Sequence, residues 1–186
     1  PNVTALKRMR ALLPAVRVIV IMRDPVARAF SQYQHNKQRH REPHSFTHIV
    51  REAIAQSPPI GNLHEPLPPM PDTASKYIWQ GYYASQIAGL WQVYPREQVL
   101  LLDAADLFDD TNAMCQRVFD FLGLEPCDVQ PDKIYNRGYY RETVEPETAA
   151  LPREPYRPHD EWLVRLTGQT FRWMNDANTS KCKSAA

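Results

Sequence analysis

Apolar positions along this chain follow two rhythms, short unbroken runs and stripes at helical spacing. Val18 to Met22 is a continuous apolar run rich in β-branched residues. Such a run is short enough for a parallel strand buried on both faces, and a strand is expected over 16–22. Val99 to Leu102 repeats the pattern and is read as a second buried strand. Helical spacing governs much of the rest. It predicts helices over 3–12 and 25–40, and one capped by Ser45 that runs to Ala55 with Phe46, Ile49, Val50 and Ile54 along one side. Thr73 to Tyr94 is the longest helical candidate, carrying Tyr77, Ile78, Tyr82, Ile87, Leu90 and Trp91, with Gly81 and Gly89 as its weak points. Thr111 to Leu122 is amphipathic and closes at Gly123. Tyr156 to Met174 returns to helix.

Two stretches fit neither rhythm. Gln56 to Asp72 holds six of the seventeen prolines and is expected to be an exposed loop, either a surface insertion or a wall of an acceptor site. Residues 126–147 are read as an irregular loop. Helices alternating with short buried strands predict an α/β fold with a parallel sheet. Two strands are fewer than a complete sheet of this kind needs.

Candidate chemistry concentrates where the first strand meets the second helix. Asp24 is a natural N-cap, and Pro25 suits the first helical position. Along this helix Asp24, Arg28, Ser31 and His35 form a polar stripe, while Val26, Ala29, Phe30 and Tyr33 lie opposite and are expected to face the sheet. Arg23 sits at the strand's end, where open α/β sheets bind ligands. Its planar fork suits a phosphate shared with the Ser31 hydroxyl. A solvated Arg beside an ordinary capped helix is the plainer alternative for such a motif taken alone.

The spacing Arg23-Asp-Pro-x-x-Arg28-Ala-Phe-Ser31-x-Tyr33 resembles the 3′-phosphate-binding element of sulfotransferases that use 3′-phosphoadenosine-5′-phosphosulfate (PAPS). Gln32-Tyr-Gln-His35 is similar to the heparan-sulfate N-deacetylase/N-sulfotransferases and related bacterial enzymes. Further segments agree in order: Gly81-x-Tyr83-x-x-Gln86-Ile87, Tyr94 to Asp103, Phe121 to Leu124 and Asn136-Arg-Gly138. The resemblance covers residues 1–175 as a single sulfotransferase domain and leaves 176–186 as a tail. It implies a P-loop-NTPase-like parallel sheet flanked by helices, and transfer of a sulfuryl group from PAPS to a hydroxyl or amine, possibly on a glycan. It also implies that Arg23 and Ser31 hold the 3′-phosphate, with Asn136, Arg137 and Gly138 closing over the same end of the nucleotide. His35 and Arg39 would meet the acceptor. Lys37, His40, Arg41 and His44 make that neighbourhood basic, which suits an anionic acceptor or is simply a solvated face. His35 is a candidate base as well, although the resemblance puts the general base elsewhere and no catalytic residue is assigned.

The family's opening strand, Gly/Thr/Ser loop and base are not found before Val16. The fold is therefore expected to be incomplete at its N-terminus, keeping the 3′ half of the cofactor site and lacking the 5′-phosphosulfate cradle. On that expectation residues 1–186 recognise the desulfonated product but turn over near background. The alternative is a non-catalytic nucleotide-binding or interaction module built on the same fold. A cradle encoded upstream of Pro1 favours the enzyme, and a start codon close to Pro1 favours the module.

Composition adds bounds. A chain of 186 residues with formal charge +1 can bury a core and offers no general case for nucleic-acid binding. Cys115, Cys127 and Cys182 match neither zinc nor disulfide spacings. Cys115 reads as a small core residue, and a Cys127–Cys182 pair needs the tail to fold back. No metal is called for. Tyr82 and Tyr83 are read as acceptor-site lining or core, and Trp162 and Trp173 as packing residues. Asp103 mimics a Walker carboxylate without the matching glycine loop. No membrane span or signal peptide pattern is found; a bacterial cytoplasm is favoured, with a Golgi lumen as the other setting.

Overall fold

A computed structural model of the chain describes residues 3–39, 42–56, 76–129 and 153–175. They fall into two compact units. One is drawn from Pro1–Arg23, Ile87–Arg137 and Phe171–Ala186 and contains the sheet; the other, from Asp24–Gln86 and Gly138–Thr170, is helical.

In the sheet unit, β1 (Val18–Met22) pairs in parallel with β2 (Val99–Asp103), in register from Val18 opposite Val99 to Met22 opposite Asp103. The β1 strand departs from the sequence expectation in one respect. Ile19 is 36% and Ile21 56% exposed, so one face of β1 is open rather than buried. Alternate side chains of a strand point to opposite faces, and no described element covers the side that takes these two. By contrast, β2 is buried at every position except half-buried Leu100. Helix α1 (Val3–Leu12) precedes β1. The Arg10 guanidinium, near its end, donates to the carbonyl of Pro14 and to Gln98 Oε1, just before β2.

The sequence did not suggest α6 (Ala104–Asp109), which follows β2 directly. Its cap is Asp103, whose Oδ1 accepts from the Ala105 N–H at 2.9 Å. Oδ2 of the same carboxylate accepts from the Arg172 N–H at 2.9 Å. Asp103 is thus a structural tie in the place of a Walker carboxylate. Arg172 also pairs through its guanidinium with Asp106 and Asp109, and Phe171 stacks on Trp173. Helix α7 (Thr111–Leu122) ends as expected at Gly123, with φ 69° and a Leu124 N–H to Phe119 carbonyl bond. Cys115 is half-buried in α7, and Cys127 is exposed; Cys182 lies outside the described residues.

In the helical unit, α2 (Pro25–Gln38) and α3 (Phe46–Ala55) begin at Asp24 and Ser45 as expected. The apolar side of α2 was expected to face the sheet. That side joins a core made with Phe46, Ile49, Val50 and Ala53 of α3, with Tyr77, Ile78 and Trp79, and with Tyr82 and Tyr156. Phe30 meets Phe46 edge-on at 5.2 Å between ring centroids. These aromatic side chains give the unit its own core.

The helix expected over 73–94 is two helices, α4 (Lys76–Trp79) and α5 (Tyr83–Trp91). The interruption is tertiary. The carbonyl of Tyr77 accepts from the Arg28 guanidinium, and that of Ile78 from the Tyr156 hydroxyl at 2.8 Å. The chain then turns at Gly81, where a Cβ would lie 2.6 Å from Tyr156 Cε1 and 2.7 Å from Pro25 Cβ. The last helix, α8, spans Arg153–Thr167 and stops at Gly168, φ 70°. Only a 3-10 turn at Arg172–Met174 continues toward the expected end. The proline-rich segment beyond Gln56 and the loop beyond Val129 lie outside the described residues.

Contacts of that kind leave no room for a methyl group at position 81. Gly81→Ala is expected to destabilise the chain by about 1–3 kcal/mol, the usual penalty for overpacking a filled core. Urea denaturation measures it, and an unchanged midpoint would contradict the close approach.

Candidate functional site

The N–H groups of the first turn of α2, from Pro25 to Arg28, are all accounted for. Pro25 has no N–H. Those of Val26 and Ala27 are bound by Asp24 Oδ1 at 2.8 and 3.2 Å, and that of Arg28 by the Asp24 carbonyl at 2.9 Å. The first turn of α2 therefore offers an anion no free N–H group, which leaves the side chains around it as its main donors. Arg23 follows the last residue of β1 and is exposed; Ser31 lies in the second turn of α2 and is half-buried. The unit boundary falls between Arg23 and Asp24, so each is placed by its own element.

His35 is exposed in the last turn of α2. Arg39 was expected inside the helix but is its C-cap, with its N–H turned back to Asn36 and Lys37 carbonyls. Asn136, Arg137 and Gly138 lie outside the described residues, as do His40 and Arg41. Arg28 is withdrawn from the polar stripe. Its guanidinium is spent on Gln32 Oε1, Gln80 Oε1 and the Tyr77 carbonyl. Tyr82 and Tyr83 are buried, and Tyr82 meets Tyr156 edge-on.

A sulfotransferase domain model matches residues 4–179. The chain belongs to the sulfotransferase domain family. The bovine bifunctional heparan sulfate N-deacetylase/N-sulfotransferase 2 is 28% identical over 120 residues, 64% of this chain and 13% of that protein. The mouse heparan sulfate glucosamine 3-O-sulfotransferase 3B1 is 23% identical over 189 residues, covering 89% of this chain and 45% of that protein. Among solved structures, a sulfotransferase from Alicyclobacillus acidocaldarius superposes with TM-score 0.70 at 25% identity, over 91% of this chain and 62% of that one. The chain thus spans less than half the length of these two curated relatives. No described helix is long and apolar enough to cross a membrane.

Two features of this sulfotransferase domain had no readable signal in the sequence. Asp24 Oδ2 is paired with Arg153 Nη2 at 2.8 Å, across 129 positions. A polar network also lies under α2: Asn36 Nδ2 donates to the Tyr77 hydroxyl at 2.6 Å, and that hydroxyl donates to buried Glu42 at 3.0 Å. Burial raises the Tyr77 pKa, and Glu42 adds to the rise while the Asn36 bond opposes it. Glu42 also accepts from the His44 N–H, which ties the chain entering α3 to the end of α2.

His159 of α8 is buried and stacked on Tyr82 at 4.0 Å, with no partner for Nδ1. Burial lowers its pKa from 6.5 to about 4. The unfolded chain binds a proton that the folded one refuses, so stability falls as pH drops from about 6.5 to about 4 and levels off below. At 1.36 kcal/mol per pKa unit the loss is about 3 kcal/mol. Urea titrations between pH 7.5 and 4 check this against His159→Phe, which keeps the stacking and removes the titration. An equal loss in the variant would contradict it.

Proposed function

We propose that the chain is the part of a PAPS-dependent sulfotransferase that grips the 3′ end of the nucleotide and receives a glycan acceptor. The observation that carries the reading is the family match over residues 4–179 together with Arg23 and Ser31 at the family's spacing. The donor set fits the group chemically: with the α2 amides already bonded to Asp24, recognition of a 3′-phosphate falls to side chains. Arg23 donates two parallel hydrogen bonds to the phosphate and Ser31 a third. The family motif assigns Asn136, Arg137 and Gly138 to the same end of the nucleotide. Bound in this way, PAPS supplies the sulfuryl group. The acceptor oxygen or nitrogen bonds to sulfur as the bond to the departing adenosine 3′,5′-bisphosphate breaks, and the acceptor proton passes to a base.

The acceptor is read from the other end of α2. His35 is exposed there, Arg39 caps the helix, and Lys37 and His44 add basic character. Relatives named for heparan sulfate N-sulfation and glucosamine 3-O-sulfation support a hydroxyl or amine of an anionic, glucosamine-containing glycan. A setting in a bacterial cytoplasm accords with the bacterial structural neighbour.

Calorimetry with adenosine 3′,5′-bisphosphate tests the nucleotide reading. Arg23→Ala is expected to weaken binding by about 1.5–3 kcal/mol, as for a charge-assisted bond, and Ser31→Ala by about 0.5–1.5 kcal/mol. Unchanged affinity in Arg23→Ala, beside measurable binding by the parent chain, would overturn the assignment.

A further inference from the structure

The cap of α2 carries a full negative charge one residue after the arginine assigned to the phosphate. Asp, Asn and Ser cap helices comparably well, so capping alone does not require a carboxylate here. An uncompensated carboxylate beside a phosphate dianion opposes its binding, because nearby charges at a protein surface interact appreciably. The structure meets this conflict with Arg153. One Asp24 oxygen holds the Val26 and Ala27 N–H groups, and the other holds Arg153 Nη2 at 2.8 Å. Both partners belong to the helical unit. The Asp24 carboxylate is only 21% exposed, which limits screening by solvent.

We propose that Arg153 is a positioning residue for the 3′-phosphate site, acting through Asp24. Its charge cancels that of the cap, and its hydrogen bond fixes the carboxylate that sets where α2 begins. The helix carrying Ser31 therefore starts at one defined residue, and the phosphate approaches a neutral cap. This inference rests on the Arg23 and Ser31 reading above. It gives Arg153 a task in binding that no sequence motif marks, since the pair joins the start of α2 to the first residue of α8.

The test is a cycle of variants in the full chain, titrated with adenosine 3′,5′-bisphosphate and with adenosine 5′-monophosphate, which lacks the 3′-phosphate. Arg153→Gln is expected to weaken the bisphosphate about 3- to 5-fold, the upper end for one exposed to half-buried charge pair. The monophosphate should respond less than about 2-fold on the same scale. Asp24→Asn keeps a capping oxygen and removes the charge, so adding it to Arg153→Gln leaves a neutral cap again and should bring bisphosphate affinity back to within about 2-fold of the parent chain. Arg153→Lys should retain most of the affinity, and it keeps the experiment informative if Arg153→Gln folds poorly. Equal weakening of both nucleotides, or no recovery when the Asp24 charge is also removed, would reduce Arg153 to a structural residue and overturn the proposal. Arg23→Ala separates the two claims. If it leaves bisphosphate affinity intact, the phosphate site itself is wrong; if it weakens binding while Arg153→Gln does not, only the role of Arg153 falls.

Discussion

The hydrogen bonds at the first turn of α2 constrain everything proposed for this chain. Helix N-termini are common anion sites because their N–H groups lack partners. Here Pro25 has none to offer, and Asp24 takes those of Val26, Ala27 and Arg28. With those amides bonded, the phosphate recognition proposed for this element would rest on the side chains flanking the cap, Arg23 on one side and Ser31 in the second turn.

The helical unit is arranged to keep that turn in place. Arg28 lies within the motif but spends its guanidinium on Gln32, Gln80 and the Tyr77 carbonyl, binding α2 to the chain that follows α4. Tyr156 of α8 reaches the neighbouring carbonyl of Ile78, and Gly81 lets the turn press against Tyr156 and Pro25. Arg153, three residues before Tyr156, completes the set at Asp24. Three side chains and one glycine thus join three helices around the residue that opens α2. Being buried or bonded on several sides, they hold it through packing as much as through charge.

Much of this was readable from the chain alone. Both strands, the Asp24, Ser45 and Gly123 caps and the sulfotransferase motif are local signals, in which a few consecutive residues carry the whole message. What escaped was set at a distance. The break between α4 and α5 depends on Arg28 and Tyr156 claiming carbonyls from other helices, and periodicity cannot register that. The open face of β1 follows from what lies beside Ile19 and Ile21, which their apolar character does not reveal. Arg153 carries no local signal, because its carboxylate partner lies 129 positions away. Asp103 resembled a ligand-site carboxylate by position and proved to be a cap and a backbone tie. The positions given to Asn136, Arg137 and Gly138 still rest on the motif.

The central claim is that this element reads a 3′-phosphate through Arg23 and Ser31. Backbone amide NMR of the labelled chain, titrated separately with adenosine 3′,5′-bisphosphate and adenosine 5′-monophosphate, addresses it most directly. The account predicts that the amide resonances of Arg23 and Ser31 shift with the bisphosphate and stay nearly still with the monophosphate. Equal shifts with both nucleotides, or bisphosphate shifts confined to other parts of the chain, would contradict it.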